Sequence, residues 1–149
     1  MVVAAVLYLC LLFLHLLGLA LGVGTNLAMI TLGGATRELA PDERAKFMQR
    51  ASALRKNGSV GLLLLILSGL GMLIVRGPLE VLRWGGGAFH AKLTLILIMI
   101  GLFGYMQVVL KKVREAGGGG PLAAKLPKLS FALLALNLSI MACAVIAFK

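Results

Sequence analysis

The chain has 149 residues, of which 60% are hydrophobic and only 13% are charged. An average soluble domain has about 25% charged residues, so this composition argues against a soluble globular protein. The formal net charge is +10. The basic residues stand beside apolar runs and form no stripe with interleaved aromatic residues, which argues against nucleic-acid binding.

Four runs without Asp, Glu, Lys or Arg predict four transmembrane helices, because about 20 mostly apolar residues are enough to cross a bilayer. The runs are residues 1–36, 57–75, 93–110 and 129–148. We therefore expect an all-α, polytopic membrane protein, with residues 1–149 forming a single membrane domain folded as a four-transmembrane-helix bundle. The expected helices cover residues 2–33, 58–75, 88–113 and 129–148.

Residues 41–57 predict an amphipathic connector on the cytoplasmic side. Pro41 suits the first turn of a helix, and the acidic pair Asp42 and Glu43 favours the positive end of the helix dipole. Phe47 and Leu54 belong to an apolar stripe at helical spacing, and basic residues occupy the other faces. The connector is expected to be a surface helix or an extension of the second membrane helix.

The distribution of basic residues predicts the orientation of the chain. Eleven of the 15 basic residues stand in the first and third loops, and four stand elsewhere. Because cytoplasmic loops carry an excess of Lys and Arg, these two loops are expected inside and both termini outside. The apolar N-terminal run has no positively charged segment before it, which argues against a cleaved signal peptide.

The only two histidines are the candidate cofactor ligands. His15 precedes Arg37 by 22 residues, and His90 precedes Lys111 by 21. At the rise of a helix, both lie about 32 Å from the charged boundary, near the outer edge of the hydrocarbon layer. Paired imidazoles are common axial ligands of haem b, so both histidines are predicted to bind one haem iron.

Small residues near the histidines add to this interpretation. Gly18 and Gly22 follow His15 on its own helix face, and Gly101 lies on the face of His90. Such positions leave room for a flat macrocycle between helices. The alternative is that Gly18 and Gly22 form a helix-packing pair, as small residues spaced by four often do.

Four further side chains are expected toward the outer side. Arg83 and Lys92 are cations near the predicted haem, where they would meet its propionate groups. Cys10 and Cys143 stand in the outer parts of the first and fourth helices. They would either form a disulfide or act as small buried apolar residues.

The segment Phe89-His90-Ala91-Lys92-Leu93, with the following apolar run and Lys111-Lys112, resembles the third helix of HemJ-type protoporphyrinogen oxidases. That family has four membrane helices and a histidine in the first, which His15 matches. The family's Trp after this histidine, and its Asn-Glu-Val-Pro block opening the fourth helix, have no counterpart here. The wider group of four-helix membrane proteins, including CopD-like copper-resistance proteins, is more similar, and this resemblance implies haem b.

These observations predict a small b-type cytochrome-like protein of the bacterial inner membrane. It would transfer electrons to or from a quinone or a redox partner at its outer face. Two alternatives remain open. One is a non-catalytic accessory subunit of a larger membrane complex or a homo-oligomer, and the other is a HemJ-like protoporphyrinogen oxidase. Any enzymatic activity would be that of a membrane oxidoreductase.

Overall fold

The computed structural model describes residues 2–79, 81, 86–117 and 121–147, and no strand is found among them. The long helices are α1 (Val2–Ala35), α3 (Arg55–Arg76), α4 (Gly86–Glu115) and α5 (Leu126–Ala147). Four helical segments, one of which joins α3 to the helix before it, are long and apolar enough to cross a membrane. The all-α prediction is confirmed, and these segments indicate a multi-pass membrane protein.

The connector continues into the second long helix. Helix α2 (Pro41–Ala51) passes through a single 3-10 turn, Ser52–Leu54, directly into α3. Pro41 stands in the first turn of α2, where a missing N–H group has no consequence. At its other end α3 stops at Gly77, whose φ of 86° suits glycine much better than any other residue.

Helices α1 and α3 form a closely packed antiparallel pair. A Cβ atom at Gly61 would lie 2.7 Å from the Gly18 carbonyl oxygen, so the two backbones are nearly in contact. Thr25 lies against Gly58 in the same register. Small residues allow this approach, which increases van der Waals contact between helices in an apolar surrounding.

Helices α4 and α5 form the second pair, and α5 also contacts α1. The core of this half contains the buried side chains of Met99, Met106 and Leu133. Met106 stands five residues, about 7.5 Å along the helix, before Lys111. The core therefore extends toward the end of the bundle formed by residues 36–57, 111–117 and 121–128, which we name the basic end.

Candidate functional site

The His15 imidazole lies against α3. Its Nδ1 atom is 2.9 Å from the Oγ atom of Ser68, a residue that is only 2% exposed. A Cβ atom at Gly69 would lie 3.5 Å from the imidazole Cε1 atom, so the ring covers this glycine. The polar edge of His15 is thus held by one turn of α3.

The hydrogen bonds of Ser68 determine which imidazole nitrogen carries the proton. The Ser68 hydroxyl donates its only proton to the Leu64 carbonyl oxygen one turn earlier. Its Oγ atom must then accept the bond from His15, so Nδ1 carries the proton. In the neutral imidazole this arrangement leaves the lone pair on Nε2, which is the atom that a metal ion would bind.

Lys92 is the predicted site residue that the structure brings toward His15. Its ammonium group interacts electrostatically with the His15 imidazole. Lys92 also stands two helical turns before the buried Met99, so it lies on the face of α4 that points into the bundle. We use the name His15 site for His15, Ser68 and Lys92.

His90 lies on a different side of α4. It stands two residues before Lys92, which corresponds to about 200° around a helix. Its side chain is exposed, and its Nδ1 atom donates to the Gly86 carbonyl oxygen at 2.8 Å. Thr94 and Gly101, on the same face, are also exposed. The structure therefore does not place His90 beside His15, although the two share a similar depth along the bundle.

The three predicted glycines have different surroundings. A Cβ atom at Gly18 would lie 2.8 Å from the Gly61 carbonyl oxygen, so α3 fills the space beside it. Helix packing, the alternative considered for Gly18, is what the contacts show at this position. Nothing lies within 4 Å of a Cβ atom at Gly22 or Gly101. Gly22 borders a cavity inside the bundle, and Gly101 is exposed.

The remaining side chains expected toward the outer side have separate surroundings. Arg83 lies outside the described residues. Cys10 and Cys143 are free thiols, the former exposed and the latter half-buried. Arg76, at the end of α3, places its guanidinium carbon 4.6 Å from the centre of the Tyr8 ring, which is a cation–π contact.

A small cavity of about 30 Å³ lies where the four long helices meet, in the half of the bundle near the basic end. Its polar lining consists of Thr25 and Asn26 from α1, Arg55 from α3 and Asn137 from α5. Met99, Phe103, Met106 and Leu133 supply much of the apolar lining. We call this space the Arg55 cavity. Its volume exceeds the roughly 10–15 Å³ that is needed to hold one water molecule.

Arg55 is the charged group in this lining, and its donors are poorly satisfied. Its Nε atom is buried and has no hydrogen-bond partner. Its Nη1 atom lies 3.6 Å from the Met106 Sδ atom, which is a weak acceptor. Among the described residues Arg55 forms no ion pair, since the ion pair found there joins Lys111 to Glu115.

Sequence reasoning missed Arg55 as a functional candidate, because it was counted with the basic residues of the connector. A usable signal was its spacing. Arg55, Gly58, Leu62 and Leu65 recur at three or four residues, and all four line the cavity. A helix face that contains Gly58 is suited to close packing, so a cation on that face is expected to point into the bundle.

Comparisons with protein-family models, with curated proteins and with solved structures gave no match to this chain. The functional argument therefore depends on the residues themselves. Two arrangements carry it, the His15 site and the Arg55 cavity, and they occupy different depths of the bundle.

Proposed function

We propose that the chain is a small b-type cytochrome-like protein of a bacterial inner membrane, with His15 and His90 as haem ligands and electron transfer as its function. The supporting observation is that each histidine donates its Nδ1 proton to an oxygen atom. His15 donates to the Ser68 hydroxyl, and His90 donates to the Gly86 carbonyl. In the neutral imidazoles, both Nε2 lone pairs are then free to bind iron.

The donor set fits a haem iron in its chemistry. Histidines that bind metals usually donate the other ring N–H to an acceptor, which fixes the ring orientation and increases the basicity of the ligand. Haem b supplies a one-electron couple between ferric and ferrous iron. Ser68 would orient the His15 ring, and Lys92 would attract the carboxylates of a propionate-bearing group. Because His90 lies on the exposed side of α4, binding of both histidines to one iron would require α4 to rotate toward α1.

The first prediction concerns the visible spectrum of the protein, purified in dodecyl maltoside after expression with a haem precursor. The dithionite-reduced minus oxidised spectrum is expected to show a Soret shift with α and β bands. His15→Ala and His90→Ala are each expected to abolish these bands because an axial ligand is lost. Ser68→Ala is expected to reduce haem affinity about tenfold, the lower end of the usual effect of losing such a partner.

Ser139→Ala is the matched control for Ser68→Ala. The exposed Ser139 hydroxyl also donates to the carbonyl four residues earlier, but it contacts no histidine. Its substitution should leave the spectrum and the haem affinity unchanged. A featureless spectrum of the unmodified protein would exclude the cytochrome proposal and favour the accessory-subunit alternative. If the haem bands persist in His90→Ala, His90 is not a haem ligand.

We also propose that both termini face outward and that the basic end lies in the cytoplasm. The support is the concentration of Lys and Arg in the loops of that end, since cytoplasmic loops are enriched in these residues. In this orientation α1 and α4 run from outside to inside. The His15 site then lies in the outer part of the bundle, and the Arg55 cavity lies in the inner part.

The second prediction tests this orientation by cysteine labelling in intact cells. In a background with Cys10→Ala and Cys143→Ala, we expect Glu80→Cys to react with a membrane-impermeant maleimide. Asp42→Cys should react only after permeabilisation. Both substitutions remove an acidic residue and leave the count of Lys and Arg unchanged, so neither alters the signal that orients the chain. The reverse labelling pattern would contradict the proposed orientation.

A further inference from the structure

We propose that the Arg55 cavity binds a single oxyanion, a carboxylate or a phosphate. The oxyanion is either a small free anion or the headgroup of an amphiphile. This site is distinct from the His15 site, because it is lined by the opposite half of α1 and by the first turns of α3. The proposal does not depend on haem binding. Four steps support it: charge, donors, space and depth.

The positive charge of Arg55 favours binding of an anion in the cavity. A guanidinium group remains protonated at any physiological pH, so Arg55 carries its charge wherever it lies. No described carboxylate forms an ion pair with it. Charged groups inside apolar surroundings are costly without a partner of opposite charge, and such residues within membrane segments usually mark a functional site.

Several hydrogen-bond donors around the cavity also have no partner among the described residues. Arg55 Nε is buried without a partner, while the Thr25 hydroxyl and the Asn26 amide form no hydrogen bond with another described residue. Asn137 uses one of its two amide protons on the Leu133 carbonyl oxygen, at 2.9 Å, and keeps the second. Carboxylates and phosphates accept several hydrogen bonds at once, and arginine binds both better than it binds a neutral acceptor.

Space and depth limit the ligand to a small headgroup. The cavity volume of about 30 Å³ accommodates part of a carboxylate or phosphate, but not a large ring system. Met106, which contacts Arg55, stands about 7.5 Å from Lys111 along α4. A headgroup at this depth is within reach of the basic end. Cations at that end, including Lys111 and Lys112 in the last turns of α4, would attract anions toward it.

The third prediction is a saturable stabilisation of the protein by oxyanions. In dodecyl maltoside at constant ionic strength, thermal unfolding would be followed by circular dichroism at 222 nm. The probes are inorganic phosphate, acetate, phosphatidic acid and a glucosyl diacylglycerol with the same acyl chains. We expect one of two results, each with a concentration-dependent rise of the midpoint. Either phosphate and acetate raise it, or phosphatidic acid raises it while the glucolipid does not. Soluble anions would indicate a free ligand, and phosphatidic acid alone would indicate a lipid headgroup.

Variants of the cavity make the test specific. Arg55→Met should weaken binding at least tenfold, because hydrogen bonds to a charged group are lost. Arg55→Lys keeps the charge and should weaken binding less. Lys56→Met removes an exposed cation from the same turn and should bind as the unmodified protein does. The proposal is overturned if no probe shifts the midpoint, if chloride acts as well as the oxyanions, or if Arg55→Met retains the shift.

Discussion

Replacing Gly61 with alanine is expected to destabilise the bundle by about 2 kcal/mol. Atoms forced into a close-packed interior cost about 1–3 kcal/mol, and more where the neighbours do not yield. Here the added Cβ atom would meet two backbone atoms, the Gly18 carbonyl oxygen at 2.7 Å and the Gly22 nitrogen at 2.9 Å. Backbone atoms of a helix have no alternative rotamer, so α1 must move away. Alanine's better helix propensity recovers about 1 kcal/mol of this cost.

Gly101→Ala is the matched control for this prediction, because it is the same substitution inside another long helix. No atom lies within 4 Å of the added Cβ position, so stability should be unchanged or should increase by up to about 1 kcal/mol. Both variants would be compared by circular-dichroism melting in the same detergent. Equal melting points for Gly61→Ala and the unmodified protein would mean that α1 and α3 are not in this close contact.

A double variant gives a second check on the same contact. Gly18 and Gly61 face each other, so alanine at either position pushes the same two backbones apart. Once the helices have separated, the second alanine meets less resistance. We expect Gly18→Ala combined with Gly61→Ala to cost less than the two single effects added together, as is usual for residues in contact. Additive effects would contradict a shared contact.

The close contact between α1 and α3 also positions both candidate sites. It sets the antiparallel register in which Ser68 meets His15 near one end and Thr25 meets Gly58 near the Arg55 cavity. A separation of the helices by even part of an ångström would lengthen the hydrogen bond from His15 to Ser68. The Gly61→Ala variant should therefore bind both proposed ligands more weakly, in addition to being less stable.

The four long helices could be predicted from the sequence because their signal is local. A charge-free run of about 20 residues already reports a helix that can cross a membrane, whatever its neighbours do. The rotation of each helix carries no such signal. Helices such as α1 and α5 are apolar on every side, so no polar face distinguishes the inside of the bundle from its surroundings.

The position of His90 illustrates this limit. Counting residues from the basic boundary gives similar depths for His15 and His90, and depth is what a rise per residue measures. The angle around the helix depends on how α4 packs against its neighbours. The burial of Met99 and Met106 in the core shows that angle, and His90 falls on the exposed side of α4. Whether an exposed His90 binds iron remains a prediction for the spectrum to decide.

Arg55 shows a second limit of reasoning from charge alone. Counting basic residues assigns every cation at the end of an apolar run to the aqueous loop. Helix α3, however, begins at Arg55, before the charge-free run starts, and already contacts α1 at Gly58. A cation one turn before such a contact is carried into the bundle by the helix itself. Its position in the cavity lining follows from packing between distant segments, which a count of charges along the sequence cannot show.

Replacing Arg55 with methionine is expected to stabilise the protein when no anion is bound, by about 1–2 kcal/mol. Apolar residues of similar size often replace even buried ion pairs at no cost or with a gain of about 1–4 kcal/mol. Arg55 has no such partner among the described residues, and its partial exposure places the expected effect in the lower part of that range. Methionine is flexible enough to fill the space beside Met106 and Leu62. Melting in anion-poor detergent buffer, with Lys56→Met as the control, measures the effect.

The difference in stability between Arg55→Met and the unmodified protein should shrink as phosphate or acetate is added, because only the unmodified protein gains stability from the ligand. A residue that lowers the stability of the free protein and raises the affinity for an anion is typical of a binding site, where stability is exchanged for function. If Arg55→Met is instead less stable than the unmodified protein in anion-poor buffer, the guanidinium is already satisfied by its surroundings. In that case Arg55 is a structural residue of the basic end, and the cavity beside it has no need of an anion.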